Sequence, residues 1–107
     1  MAISSEEIEY FIEQLSEFGE VRSKRMFGGV GFFYQDVMFA MIGLGDFRLR
    51  ADEQTKGDFE AEGMEKFKMS KGTLPYWQVP EHILSDRSKL AVWANKAFEA
   101  ALRGKKK

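Results

Sequence analysis

The sole histidine of this chain, His82, is followed within four positions by Ser85 and Asp86, which together have the residue types of a hydrolytic triad. A triad works only when its members converge on one substrate atom from separated parts of a fold. Three residues in one short turn after Pro80 do not converge that way, and His82 reads as a surface or capping residue. The chain has no cysteine, so this histidine cannot head a thiolate-based zinc site. The carboxylates have no apolar run around them that would raise a pKa for acid catalysis. No enzymatic activity, no metal and no organic cofactor is therefore expected.

The stretch "RMFGGVGFFY" at 25–34 poses a second question of chemistry. A dinucleotide loop needs three spaced glycines between a strand and a helix, so that helix amides meet phosphate. Gly28, Gly29 and Gly31 lie too close together, and a strand pattern follows them. An RNA-recognition strand would set stacking aromatics at alternate places, and Val30 stands where one belongs. The reading favoured here is steric. Gly28 and Gly29 allow a sharp turn or bulge, while Gly31 lets a neighbouring aromatic or helix approach the sheet. Met26 and Phe27 would plug the core beside that turn.

Basic residues form the third group. The charges are sorted along the chain: six acids and no base in residues 1–20, then five bases and two acids in 21–50. With a net charge of −1, only a local basic face could attract nucleic acid. Arg22 and Lys24 share one face of a predicted strand, and Arg48 and Arg50 share one face of another. Together they are candidate contacts for phosphates or for an acidic partner. The competing reading is that they protect sheet edges from aggregation.

Helices and strands must position these groups. Ser4 and Glu7 have capping-box spacing, and Ile8, Phe11, Ile12, Leu15 and Phe18 make a helical stripe that Gly19 would end. Strands are predicted near 21–26, 29–34, 37–42 and 46–51, with a tight turn at Gln35–Asp36. A short helix around Phe59 follows, with Asp52 as its N-cap and Gly63 as its stop. Two strands then flank a turn at 71–72, and Pro75 makes the second an edge strand or a bulged one. Ser85 or Asp86 caps a long helix with the stripe Leu90, Trp93, Ala94, Ala97, Phe98 and Ala101. The order is helix, meander of three or four strands, short helix, two strands, long helix: an α+β fold with an antiparallel sheet.

At 107 residues, 44% of them hydrophobic, the chain suits one domain, expected over 1–103 with a frayed basic tail at 104–107. It opens with no signal-peptide pattern and holds no apolar run approaching the ~18 residues of a membrane span, which points to a cytoplasmic protein. "VMFAMI" at 37–42 is apolar on both faces of its strand. The first and last helices cover one face, and the short helix has too little apolar surface to cover the other. A homodimer contact or an apolar docking site, rimmed by the basic residues, is the expectation.

The blocks "RMFGGVGFFYQDVMFAMI", "FRLRADEQTKGDFEAEG", "PYWQVPEHILSD" and "LAVWANKAFEAALR" are similar to the N-terminal domain of the TfoX (Sxy) family, bacterial regulators of competence for DNA transformation. The Met-Phe-Gly-Gly block carries most of the specificity. Mild departures are Arg50 in place of lysine and Trp77 in place of tyrosine. The resemblance implies an α-β(3)-α-β(2)-α type of fold and a protein partner in transcriptional regulation. It implies no catalytic residues, and it does not extend to the second, C-terminal domain of the family's regulators, so the domain is expected to stand alone. Direct nucleic-acid binding through the basic sheet face is the alternative.

Overall fold

The computed structural model describes residues 3–26, 29–43, 45–64, 66–69 and 72–105, with the backbone alone at 66–69, 72–74 and 105. Ser4 starts α1 (Ser5–Gln14): its hydroxyl accepts the Glu7 amide at 3.1 Å, and the Glu7 carboxylate accepts the Ser4 amide at 3.4 Å. That reciprocal capping box is the one its spacing predicts. The helix stops about a turn before its apolar stripe does. Leu15 caps it, and its carbonyl accepts the amides of Phe18 and Gly19 at 3.0 and 3.1 Å. Gly19 does not take the left-handed conformation expected of it. Its small size serves a close approach instead, since a Cβ there would lie 2.6 Å from Cε1 of Tyr34.

The meander has four strands: β1 (Arg22–Met26), β2 (Gly29–Tyr34), β3 (Val37–Gly43) and β4 (Asp46–Arg50). Gln35 and Asp36 join β2 to β3 with φ of 51° and 64°, the paired left-handed geometry whose twist suits a two-residue hairpin. α2 (Lys56–Ala61) ends at Gly63, whose φ is 82°. The amides of Gly63 and Met64 reach back to the carbonyls of Glu60 and Phe59, closing the helix end. Asp52 does not cap α2. Its carboxylate accepts the amides of Gln54 and Thr55 and closes a turn just before the helix.

After β5 (Lys66–Met69) and β6 (Gly72–Gln78) comes a short helix that the sequence pattern missed, α3 (Glu81–Leu84), led in by Pro80. Asp86 caps α4 (Arg87–Lys105) by accepting the Lys89 amide at 3.1 Å. Gly104 and Lys105 continue α4, and the rest of the predicted tail lies outside the described residues.

All strands pair antiparallel in the order β1-β2-β3-β4-β6-β5. β6 is therefore interior, and Pro75 is not on an edge. The register slips there instead: Lys66 faces Trp77 while Phe67 faces Leu74, leaving Pro75 and Tyr76 without β5 partners. A bulge accommodates the missing amide.

Every helix with an aromatic anchor packs on one face of the sheet. Phe11 of α1 stacks on Phe47 at 4.8 Å, and Phe18 meets Phe39 at 5.1 Å. Phe59 of α2 sits edge-on to Trp77 of the sheet and Trp93 of α4. The short helix thus joins the first and last helices in one layer.

Polar ties lock that layer. Gln14 is buried, donates to the Leu84 carbonyl at 2.7 Å and accepts from Arg87 Nε at 3.2 Å. Arg103 near the end of α4 grips Asp52 with two hydrogen bonds, of 2.5 and 3.0 Å. The hydrogen-bonded guanidinium holds the Asp52 carboxyl at about 2, below its ordinary 3.8, against a smaller opposing cost of burial. A depressed carboxylate stabilises the fold fully above 3.8, and that contribution is lost as pH falls towards 2. Because both side chains are partly open to solvent, the pair should contribute about 1 kcal/mol. Urea unfolding at about pH 7 and about pH 2.5 should show a pH dependence that Asp52→Asn reduces by that amount. An unchanged dependence in the variant would mean the pair contributes nothing.

Candidate docking face of the sheet

Strand alternation sorts the side chains between two faces. Ser23, Phe32, Ala40, Leu49 and Trp77 form one row across five strands, and Phe32 and Trp77 meet the helices. The adjoining row, Lys24, Gly31, Met41, Arg48 and Gln78, points the other way. A bulge opposite Phe32 and Phe33 resolves how β3 can be apolar on both faces. It lets the consecutive residues Phe39 and Ala40 both point to the helices, where both are fully buried, and turns Met38 with Met41 to the open face.

The open face differs from end to end. Over β4 and β6, Arg48 and Tyr76 are buried while Gln78 is exposed. Over β1 to β3, Met26, Phe33, Met38 and Met41 are half-buried, and none belongs to the core cluster. Gly31 lies beneath them. A Cβ on it would come within 3.1 Å of the Met26 methyl and 3.2 Å of the Met38 methyl and sulfur. The sequence reading assigned that space to an aromatic or a helix. It belongs to two flexible thioethers lying over the glycine, and Met26 is on this face rather than in the core.

Of the other members of the motif, Phe27 and Gly28 lie outside the described residues. Gly29 begins β2 without a left-handed φ. A Cβ on it would collide with the backbone oxygen of Ile42, so close approach, not conformational freedom, requires glycine there.

The four candidate basic residues do not form one surface. Arg22 and Lys24 are exposed on β1 and have no acidic partner among the described residues. Arg48 is turned into its own chain: Nε donates to the Gly43 carbonyl at 3.2 Å and Nη2 lies 3.4 Å from Asp46. Arg50 is half-buried, against Gly104 and 6.0 Å from the Tyr76 ring centroid, and its Nε has no hydrogen-bond partner among the described residues. Long arginine stems cover apolar surface while the head seeks local acceptors, and strand alternation alone cannot foresee this.

Charge therefore divides the molecule. Exposed Glu6, Glu9 and Glu13 on α1 and Glu17 just after it crowd the helix side. Three cations of α4 are engaged there, Arg87 with Glu13, Lys96 with Asp58 and Arg103 with Asp52, while Lys89 is exposed beside them. Asp46 shares the open face, where it pairs with Arg48.

The would-be triad is used for structure. His82 meets Glu62 at 3.2 Å, Ser85 donates to the Glu81 carbonyl at 2.9 Å, and Asp86 caps α4. Among the described residues, no three histidines or acids come together as metal ligands would, and no helix is long and apolar enough to cross a membrane.

Comparison with known proteins places residues 13–101 within the sequence model described as the TfoX N-terminal domain. The DNA transformation protein TfoX1 of Aliivibrio fischeri is 34% identical over 77 residues, which cover 68% of this chain and 37% of that protein. The chain thus matches little more than a third of that relative's length.

Proposed function

The chain belongs to the TfoX N-terminal domain family, and from that premise we propose that it is a non-enzymatic protein-interaction module in the regulation of DNA transformation, acting in the cytoplasm. The observation that carries the reading is the β1–β3 half of the open sheet face. Four large apolar side chains, Met26, Phe33, Met38 and Met41, lie there outside the core, while the helices pack on the opposite side. Methionine-rich surfaces adapt to a docked partner because the thioether side chain is flexible and polarizable. Direct nucleic-acid binding draws less support. With Arg48 and Arg50 turned into the chain, Arg22 and Lys24 remain on this face, and two phosphate contacts would give a salt slope of only about −2.

Complementation in the native host tests this. Deletion should lower the frequency of transformation by added DNA, and the wild-type chain should restore it. Met41→Glu should fail to restore it, whereas Val92→Glu, on the exposed outer side of α4, should succeed. Thermal melts of both variants within a few degrees of wild type would exclude unfolding as the cause. Full restoration by Met41→Glu, or no effect of the deletion, would defeat the proposal.

A further inference from the structure

Resting on the reading of the β1–β3 face as a docking site, we infer that its occupant is a single acidic amphipathic segment of another protein chain, which sets apolar side chains onto the methionines and carboxylates beside Arg22 and Lys24. Charge argues for the acid. Arg22 and Lys24 are exposed at the rim of the apolar patch without partners among the described residues, and Asp46 on the same face is taken by Arg48. The opposite side of the molecule gathers its glutamates on α1, so the two faces would select partners of opposite sign.

Size argues for one segment. Three strands at about 4.8 Å spacing give a face roughly 10–15 Å wide, and five or six residues make it roughly 17–20 Å long. That footprint matches one helix of about 10–12 Å diameter and falls well below the ~800 Å² per partner of a stable dimer. Charge also disfavours a second copy. A two-fold contact through this face would bring Arg22 and Lys24 of both copies into one small interface. Placing the acidic α1 of one copy on the sheet of the next gives a heterologous contact, which builds rings or filaments rather than a two-fold dimer.

Adaptability comes from Gly31. The Met26 methyl and the Met38 thioether occupy the space that a Cβ on Gly31 would need, so their rotation would open a slot down to the sheet for an incoming side chain.

The test uses the full chain labelled at the methionine methyls and followed by NMR. One probe is a synthetic helical peptide of about 14 residues, long enough to cross the face, with leucines on one side and glutamates on the other. Its twin carries lysine at every glutamate position. The glutamate peptide should shift the Met26, Met38 and Met41 methyls saturably at low salt and leave Met64, which is buried in the core, in place. Arg22→Glu with Lys24→Glu should weaken that binding about tenfold or more. Equal or tighter binding of the lysine peptide, or no effect of charge reversal, would overturn the acidic partner while leaving the face as a docking site. Silence of these methyls with both peptides would overturn both readings. Methyl shifts that grow with protein concentration alone would assign the face to a second copy, and shifts on adding a short DNA duplex would assign it to nucleic acid. Either result would overturn the inference.

Discussion

Phe59→Ala should lower the unfolding free energy by about 3–5 kcal/mol, the range for emptying a fully buried aromatic site. Phe59 is wholly inaccessible, and its ring lies 5.9 Å from that of Trp77 and 5.1 Å from that of Trp93. It is the buried residue of α2, whose Gly57, Asp58, Glu60 and Ala61 are exposed. Truncation would therefore leave a cavity between sheet and α4 and also release α2, which has little else to hold it. A short helix with an exposed glycine has little stability of its own. Against a total of about 5–15 kcal/mol for such domains, the loss takes much of the margin. Urea unfolding followed by tryptophan fluorescence suits the question, because Trp77 and Trp93 are the chain's two tryptophans and both touch Phe59. A midpoint close to that of wild type would show that the cluster collapses around the alanine or contributes little.

Gly29→Val should cost about 3 kcal/mol, near the top of the usual range for overpacking. Valine suits a strand intrinsically, so the sign comes from contact rather than propensity. The added Cβ meets the carbonyl oxygen of Ile42, in the neighbouring strand. A flexible side chain would swing aside, but a backbone atom in a paired strand moves only by breaking the β2–β3 ladder. Gly31→Ala offers the contrast, because its neighbours are the mobile ends of Met26 and Met38. Thermal melts should rank Gly29→Val well below Gly31→Ala. A Gly29→Val protein that melts like wild type yet no longer restores transformation would instead place Gly29 in the binding surface.

Much of this structure follows from local chemistry alone. The capping box at Ser4 and Glu7, the left-handed pair Gln35–Asp36, the stop at Gly63 and the cap at Asp86 each need only neighbours a few residues away. Strand limits in the meander and the apolar stripe of α4 follow from periodicity in the same way. The α+β class was legible for that reason.

What the sequence could not decide was whatever depends on residues far apart in the chain. That Phe39 and Ala40 share a face depends on a bulge set by pairing with β2. That β6 lies inside the sheet, with Pro75 in a register slip, depends on where β5 pairs. Gly29 and Gly31 look alike in sequence, yet one faces a backbone oxygen and the other two methionines. The candidate site shows the same division most sharply. Alternation could group Arg48 and Arg50 with Arg22 and Lys24, but only the folded chain supplies the Gly43 carbonyl, Asp46 and the end of α4 that draw the first two inward. Local preference is a property of adjacent residues, whereas burial and partnership come from packing, and so it was tertiary structure that reduced a four-residue basic surface to two cations beside a methionine-lined face.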